Sequence, residues 1–449
     1  MKKRKANEKC TRYRGRRWLQ VDLPDACQPW ELGNRKSIRK DRYHRGTWHE
    51  ELCGILLRNR WKWPQRLIYF FSDLHADTDA FIASLVASGG IKKTGPRDKD
   101  FKLTKDGRKA LFIIGGDCFD KGPSSIRLLR AIRMLMERKA DVRILAGNHD
   151  VRMMLGMKAL DLQPDPRTDH FFVRMGPKVI PFLKEVYDHY LQGKSSISDL
   201  PGTRECRRRL FPPKRWFDEF PRVAGWVMPD SGVDREMKRL RIKMDSFEDD
   251  CLRAGLSLRM AYAAARKWQQ LFLHPKGEFF WFYDQMQLAY REASFLFIHA
   301  GLDDQIAQIV DEEGVKHLNR EFRNKVKKDL FDFYYSPLAN TIRTKYREVD
   351  RPLTLRGVAS VRRRKIHAIV HGHLHLRYGQ RITLRKGMLN FECDSTIDRN
   401  TRERSGVSGY GAAVTIIQPN GVVKGISADY PFIKVFKPSL LVGGKGVSR

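Results

Sequence analysis

The feature that most constrains the fold is the segment at residues 109–122, KALFIIGGDCFDKG. Residues 111–114 form an uninterrupted apolar run, which is typical of a strand buried on both faces of a parallel sheet. Two glycines end the run, and Asp117 and Asp120 follow directly. Because an unpaired buried carboxylate is costly, a salt bridge, catalysis or a bound metal must account for these two aspartates.

Four further apolar runs end in a similar way. From residue 66 the chain alternates apolar strands with helical patterns, which predicts a parallel sheet covered by helices. Ligand sites in open α/β sheets lie beyond the carboxyl ends of the strands, so we expect the five ends to meet at one edge. The polar residues that follow the five runs are Asp73 and His75, Asp117 and Asp120, Asn148 and His149, His299, and His373 and His375.

Imidazole, carboxylate and amide groups make up this set, and it contains no thiolate. Such a donor set suits Zn, Fe or Mn rather than a soft metal or a site built purely for Mg or Ca. Asp117 has two carboxylate oxygens and is able to bridge two ions. Each motif by itself is a weak signal, but five of them in one chain make coincidence a poor explanation.

With these motifs the sequence resembles the calcineurin-like metallophosphoesterase superfamily. The matching residues are Asp73-Leu-His75, Gly116-Asp117-Cys-Phe-Asp120, Gly147-Asn148-His149-Asp150, His299 and Gly372-His373-Leu-His375, in that order. The resemblance implies an α/β fold, a four-layer α/β/β/α sandwich of two mixed sheets, here with a largely helical insertion. It also implies two metal ions, one bound by Asp73, His75, Asp117 and His375 and the other by Asp117, Asn148, His299 and His373.

Two such ions, divalent or trivalent Mn, Fe or Zn, would clamp the phosphate oxygens and hold a bridging hydroxide for in-line attack on phosphorus. His149 follows Asn148 and is placed to protonate the leaving oxygen. The family implies that Asp120 orients this histidine; Asp150 is a second candidate, with helix capping as its alternative role. Asn148 and Lys121 are the expected contacts to the substrate.

The sequence leaves the branch within the superfamily open. Residues 73–91, the Gly122-Pro-Ser turn and His299-Ala-Gly-Leu are similar to phosphoprotein phosphatases, especially the Shewanella-like and diadenosine-tetraphosphatase-like members. However, Lys121 stands where that branch usually has an arginine, and lysine lacks the bidentate fork. The GNHD and GHLH motifs are similar instead to general phosphoesterases and DNA-repair nucleases.

We therefore expect a phosphomonoesterase that acts on phosphoproteins or on small phosphorylated molecules. The alternatives are a phosphodiesterase or nuclease, a dinucleoside polyphosphate hydrolase, and a non-catalytic binding protein on the same scaffold. Charge bears on this choice, because 86 Lys and Arg against 52 Asp and Glu give a formal net charge of +34. Such an excess favours anionic partners, so nucleic acid is a candidate alongside a phosphorylated substrate.

The seven cysteines are scattered and form no CxxC pair, which predicts reduced thiols and a cytoplasmic protein. No apolar run is long enough to cross a bilayer, so we expect no transmembrane segment. The N-terminus is charged without an apolar stretch behind it, and this does not fit a secretory signal.

The expected domain organisation is a core interrupted by an insertion. Residues 1–65 are a basic N-terminal arm and an irregular segment, and 66–154 are the first half of the core. Residues 155–290 are rich in arginine and aromatic residues and carry no further ligand-rich strand end, which indicates a helical insertion or cap. Residues 291–430 are the second half of the core, and 431–449 are expected to form a C-terminal tail.

Overall fold

The computed structural model describes residues 13–30, 45–58, 60–193 and 200–441, so most of the basic arm lies outside the described residues. The strands are β1 Cys27–Pro29, β2 Ile68–Phe71, β3 Ile91–Lys93, β4 Phe101–Leu103, β5 Leu111–Ile114, β6 Asp141–Leu145, β7 Met286–Gln287, β8 Ala289–Glu292, β9 Phe295–Ile298, β10 Ala368–His371, β11 Arg381–Arg385, β12 Met388–Glu392, β13 Ala413–Ile417, β14 Val423–Ser427 and β15 Ile433–Phe436.

The α-helices are α1 Arg45–Arg58, α2 Thr78–Ala87, α3 Ser125–Glu137, α4 Asn148–Ala159, α5 Phe171–Arg174, α6 Ile180–Tyr190, α7 Thr203–Leu210, α8 Trp216–Ala224, α9 Asp230–Arg253, α10 Leu258–Phe272, α11 Phe280–Asp284, α12 Asp304–Glu312, α13 Gly314–Lys328, α14 Leu330–Tyr335, α15 Leu355–Arg363, α16 Arg399–Arg404 and α17 Pro438–Leu441. Short 3-10 helices occupy Arg16–Trp18, Gly176–Val179 and Pro337–Ile342.

The first sheet has a parallel centre and an antiparallel flank. Its strand order is β1-β15-β14-β13-β2-β5-β6-β7. The strands β2, β5 and β6 run parallel, as their alternation with helices predicts, and Ile114 pairs with Phe71 on one side and Ile144 on the other. Because the three strands point the same way, their carboxyl ends share one edge of the sheet.

The second sheet has the strand order β11-β12-β10-β9-β8. The strands β9 and β10 are parallel to each other. The strand β12 is antiparallel to β11, as the sequence predicts, but it is parallel to β10. The carboxyl end of β12 therefore lies at the same edge as those of β9 and β10, which the sequence pattern did not indicate.

The two sheets pack face to face through alternate residues of their strands. Phe70 and Ile113 of the first sheet and Phe297 and Phe391 of the second belong to one buried apolar cluster, and the rings of Phe70 and Phe297 lie 5.8 Å apart. The neighbouring residues of the first sheet, such as Phe71, point the other way and pack with the helices. The layers are thus helix, sheet, sheet, helix, and the expected α/β/β/α sandwich is confirmed.

The insertion between β6 and β7 is helical and runs from α4 to α11 within its described part. Its core is aromatic: Trp216 stacks on Phe220 with ring centroids 4.3 Å apart, and Trp268 stacks on Phe272 at 4.4 Å. Phe272 also packs edge-on against Phe119, which lies in the turn after β5, at 5.9 Å. The insertion and the turn that carries Asp117 therefore share one hydrophobic core.

The segment from residue 431, expected to be a tail, begins with β15, which pairs with β1 and β14. Ile433 and Phe436 are buried, so this part of the segment is fixed in the first sheet. Residues 442–449 lie outside the described residues. The other domain boundaries stay predictions.

Five described cysteines are free: Cys53, Cys118, Cys206, Cys251 and Cys393. Cys27 is disulfide-bonded, so the expectation of reduced thiols is wrong at this position. A disulfide needs two Cα atoms within about 7 Å in the fold, and scattered positions in a sequence do not reveal such proximity. Among the described helices, none combines the length and the apolar character needed to cross a membrane.

Candidate active site

The strand ends of both sheets bring two groups of potential metal ligands together. One group is Asp73, His75 and Asp117; the other is Asp117, His299 and His373. Within each group the donor atoms lie within 4.8 Å of one another, and all five side chains are buried. The groups combine the ends of β2 and β5 in the first sheet with those of β9 and β10 in the second. The two groups share Asp117.

Asp117 faces both groups with one carboxylate oxygen. Its Oδ2 lies 4.0 Å from His75 Nε2 and 3.5 Å from His299 Nε2. Its Oδ1 instead accepts a hydrogen bond of 2.9 Å from the backbone N–H of His149. Asn148 lies beside the second group, because its Oδ1 is 3.3 Å from His299 Nε2. The structure therefore brings Asp117 and Asn148 together with His299 at this edge of the sheets.

Backbone carbonyls fix the orientation of two histidine rings. His75 Nδ1 lies 3.1 Å from the carbonyl oxygen of Phe119, and His299 Nδ1 lies 2.8 Å from that of Gly115. A carbonyl only accepts, so Nδ1 carries a proton in each ring and Nε2 is the nitrogen that is directed into the site. Metal-ligating histidines are usually held by a hydrogen bond of this kind.

Unpaired donor atoms and crowded charges make the site fit a cation. Asp73 Oδ1 and His373 Nε2 are buried and have no hydrogen-bond partner among the described residues. Burial, together with the nearby carboxylates of Asp394 and Asp117, raises the pKa of Asp73 to about 7. Burial also disfavours ionised Asp117, but His299 and His149 outweigh it and hold the pKa of Asp117 well below its usual range. Oxygen and nitrogen donors in this state suit a bound metal ion.

His375 is not part of either group. Its Nδ1 lies 2.9 Å from Asp394 Oδ2, and 47% of its side chain is exposed. Its Nε2, however, is 3.4 Å from the ammonium of Lys121, and His75 Nε2 is 2.7 Å from the same ammonium. His75 Nε2 and His375 Nε2 therefore both face the ammonium of Lys121, which lies between the two rings. A role for His375 as a metal ligand stays a prediction.

Backbone strain is concentrated in the same motifs. Of the thirteen non-glycine residues with positive φ among the described residues, seven lie in them: Asp73, His75, Ala76, Asp117, Asp120, Lys121 and His373. Gly147 needs to be a glycine, because a Cβ there would lie 2.0 Å from the backbone nitrogen of Asp117. Such strain costs free energy and persists where the surrounding structure holds it for a function.

His149 and Asp120 form a pair at the edge of the ligand groups. His149 Nδ1 lies 2.7 Å from Asp120 Oδ2, and its Nε2 lies 3.9 Å from Asp117 Oδ2. The carboxylate of Asp150 is instead engaged by backbone groups. It accepts hydrogen bonds from the backbone N–H groups of residues 117, 118, 119 and 147, so it holds the turn after β5 against the start of α4.

Two residues near the site were missed by sequence reasoning. Arg152 Nη2 donates to Asp120 Oδ2 at 2.8 Å and lies 3.1 Å from His149 Nδ1. Its position one turn after His149 in α4 was the available signal. Asp394 follows β12, is fully buried and contacts His375. The strand-end pattern could have found it, had β12 been predicted to run parallel to β10.

Two ligand groups that share a carboxylate, beside a histidine held by an aspartate, are typical of metal-dependent hydrolases of phosphate esters. Residues 66–253 match the family model described as calcineurin-like phosphoesterase. Over these residues the chain is similar to calcineurin-like phosphoesterases, the family that the motifs also resemble. The match covers the first three motifs and part of the insertion, and the last two motifs lie beyond it.

The solved structures to which the chain is similar include two phosphatases. One is the cold-active protein-tyrosine phosphatase of a psychrophilic Shewanella species, to which the chain is 12% identical. The match covers 92% of this chain and 91% of that chain, with a TM-score of 0.41. It is 12% identical to a protein serine/threonine phosphatase from Saccharomyces cerevisiae, with 87% of each chain covered and a TM-score of 0.37. At these values the likenesses do not identify a substrate. Among curated proteins, none matches the chain significantly.

Proposed function

We propose that this chain is a phosphomonoesterase with two metal ions, Mn, Fe or Zn, held by Asp73, His75, Asp117 and His375 and by Asp117, Asn148, His299 and His373. The observation that carries the proposal is the position of Asp117 Oδ2 between His75 Nε2 and His299 Nε2, at 4.0 Å and 3.5 Å. A carboxylate shared in this way suits two ions held close together, as in phosphatases and nucleases. When bound, the ions would neutralise phosphate charge and lower the pKa of a water molecule that serves as the nucleophile.

In this proposal His149 is the general acid. The carboxylate of Asp120 lies 2.7 Å from His149 Nδ1 and orients the ring so that His149 Nε2 faces Asp117. Burial lowers the pKa of His149, and the charges of Asp117 and Asp120 act against this shift in favour of the protonated ring. The protonated ring gives its proton to the leaving oxygen as the P–O bond breaks. Lys121 contacts the phosphate as a point charge, and Asn148 also contacts it through its amide.

The proposed substrate is a phosphoprotein or a small phosphorylated molecule. The alternative function is that of a phosphodiesterase or nuclease. The net charge of +34 is the observation that keeps nucleic acid among the candidates, because Lys and Arg contacts to phosphates give affinity without sequence preference. The two functions use the same ligand set, so only turnover distinguishes them.

The test is a parallel assay of the purified full chain with Mn²⁺. The substrates are p-nitrophenyl phosphate, bis(p-nitrophenyl) phosphate, a phosphoserine peptide and single-stranded DNA, and the Asp117→Asn variant is the inactive control. Faster turnover of the monoester or the phosphopeptide supports the proposal. Cleavage of the diester or DNA that exceeds monoester turnover overturns it in favour of the alternative. Absence of any turnover in protein shown to bind metal overturns both and indicates a binding protein.

A further inference from the structure

The helix α9 of the insertion has one long face that is exposed to solvent. The helix has 24 residues, which corresponds to a length of about 36 Å. Val233, Leu240 and Phe247 lie on its inner side and are buried. The residues of the opposite side follow one another at alternate spacings of four and three positions, and all of them are exposed. We call this side the outer face: Ser231, Arg235, Lys238, Ile242, Asp245, Asp249 and Leu252.

Two of the side chains on the outer face are apolar. Ile242 is 60% exposed and Leu252 is 65% exposed. Single apolar side chains are common on protein surfaces, so their exposure alone does not indicate a partner. Ile242, however, lies at the midpoint of the helix, with twelve residues before it and eleven after it. Its position becomes informative together with the charges on either side of it.

The charges of the outer face are separated along the helix. Arg235 and Lys238 lie in the N-terminal half, and Asp245 and Asp249 lie in the C-terminal half. None of these four side chains forms a salt bridge with another residue in the part of the chain that the structure describes. A neighbouring acid of α9 that lies off this face, Glu248, does pair within the chain. The four charges of the outer face are therefore available to a partner.

The outer face is complementary to itself when two copies of α9 run in opposite directions. With a twofold axis at Ile242, residues equally far from Ile242 on either side lie at the same level in the two copies. Arg235 and Asp249 are each seven residues away, and Lys238 and Asp245 are four and three residues away. At about 100° per residue, Lys238 and Asp245 also turn to the same side of Ile242, and the twofold axis keeps that side common to both copies.

We propose that the chain forms a dimer through the outer face of α9, with the two copies of the helix antiparallel and Ile242 at the twofold axis. The contact covers Ile242 with its own copy and surrounds it with ion pairs between the basic half of one helix and the acidic half of the other. A helix about 36 Å long and about 10 Å wide offers less area than the roughly 800 Å² per partner of a standard interface. We therefore expect a weak dimer with a micromolar Kd.

The turn before α9 adds a further apolar side chain to this contact. Trp226 is 91% exposed, although the backbone N–H groups of Val227 and Met228 donate to the carbonyl of Ala224 at 2.9 Å and 3.1 Å and fix the turn. In an antiparallel pair, the N-terminal end of one α9 lies beside the C-terminal end of the other. Trp226 of one copy then comes close to Leu252 of the second copy, and both lose exposed apolar area.

A second copy fits the outer face better than an extended polyanion does. Nucleic acid or an anionic membrane would be attracted by the basic N-terminal half of the face. It would be repelled by Asp245 and Asp249 in the C-terminal half of the same face. A pattern in which the sign of the charge reverses at the midpoint is matched by the same pattern turned end to end.

An exchange of charges tests the proposed pairing. Sedimentation equilibrium of the full chain from about 1 to 100 µM gives the Kd of the dimer. Asp245→Lys should raise this Kd ~10-fold to 100-fold, because two symmetric contacts with Lys238 change from attraction to repulsion. Lys238→Asp combined with Asp245→Lys should restore the wild-type Kd. Asp284→Lys makes the same change in net charge at an exposed position of α11, and it should leave the Kd unchanged.

Oxidative cross-linking tests the direction of the two helices. Ile242→Cys places a thiol at the twofold axis, so mild oxidation with diamide should give a covalent dimer. Leu252→Cys alone should give none, because the two positions would lie about 30 Å apart along the helices. A mixture of Ser231→Cys and Leu252→Cys proteins should cross-link, since these residues lie within one position of the same level. The wild-type chain is the control for its own cysteines.

Each outcome bears on the proposal without a measurement of turnover, so it stands or falls separately from the proposed function. A wild-type chain that stays monomeric up to about 100 µM overturns the proposal. A dimer that Asp245→Lys does not weaken, or that the exchange of charges does not restore, also overturns it, with circular dichroism as the control for folding. Cross-linking of Leu252→Cys alone would contradict the antiparallel arrangement. Binding of single-stranded DNA or anionic vesicles that is lost in Lys238→Asp, without dimer formation, would assign the face to a polyanion instead.

Discussion

The strand-end ligands and the helical insertion lie side by side but are built in different ways. Each strand-end ligand follows a buried strand within a few residues, so the backbone of the sheets fixes its position. The insertion instead packs its helices around an aromatic core, in which Trp216 stacks on Phe220 and Trp268 on Phe272. The ligands therefore depend on the sheets for their position, whereas the insertion depends on contacts between side chains that are distant in the sequence.

The largest expected effect is that of Asp117→Asn on the strand-end site. Asn keeps the shape of the side chain but removes the charge shared by the two ligand groups. We expect loss of detectable turnover and loss of metal from both sites. The fall in metal affinity should exceed the ~10–100-fold that is typical when a residue hydrogen-bonded to a metal ligand is removed. Metal content after dialysis and turnover are the measurements. Retention of two ions per chain would contradict the bridging role of Asp117. Unchanged urea unfolding would serve as the control that the insertion remains folded.

His149→Asn should separate chemistry from metal binding within the same site. The variant removes the proposed proton donor, and its neighbour Asn148 remains. We expect turnover to fall by ~10²–10⁴ while the metal content stays unchanged. The comparison is sharpest between a substrate with a poor leaving group and p-nitrophenyl phosphate, whose leaving group needs little protonation. Equal losses on both substrates would contradict the role of His149 as an acid.

The same contrast explains what the sequence was able to predict. Asp73, Asp117 and His299 could be proposed from the sequence because an apolar strand followed by a polar residue is a local pattern. The carboxyl ends of parallel strands meet at one edge of a sheet, so the pattern also predicts that these residues lie close together. The position of Asp394 was missed because the direction of β12 depends on its pairing with β10, which is not local. The ion pair of Arg174 and Glu236 could not be recognised either, since the two residues are 62 positions apart and only the folded insertion brings them together.

Glu236→Gln should have the opposite effect to Asp117→Asn, with stability lost and metal retained. Glu236 forms a buried ion pair with Arg174, with 11% and 16% of the side chains exposed. Removal of one partner leaves a buried charge unpaired, which costs about 3–5 kcal/mol. Urea unfolding followed by tryptophan fluorescence measures the change. Glu205→Gln, in the exposed pair with Arg208 on α7, is the matched control and should leave the free energy of unfolding nearly unchanged. Similar losses for the two variants would contradict the prediction.

The smallest expected effect is a pH dependence that belongs to the insertion alone. The ring of His170 lies 4.6 Å, 5.0 Å and 4.9 Å from those of Phe171, Trp216 and Phe220, and its Nε2 is 3.3 Å from the Tyr335 hydroxyl. Burial lowers the pKa of His170 to about 3, with Arg174 and Lys243 also lowering it and Glu236 raising it. The folded chain therefore keeps this ring neutral at pH values where the unfolded chain protonates it.

The sign of the effect follows from this difference in protonation. Above an unfolded-state pKa of about 6.5, both states are neutral and His170 contributes no pH dependence. As the pH falls from there towards 3, the unfolded state binds one more proton, so stability decreases by up to about 1.4 kcal/mol per pH unit. His170→Phe should remove this contribution to the pH dependence of urea unfolding of the chain between about pH 7 and 5, whereas His274→Phe, at an exposed position, should leave it. An unchanged slope in His170→Phe would mean that the ring is solvated in the folded state, and turnover at neutral pH should be the same in all three proteins because the strand-end ligands do not depend on this ring.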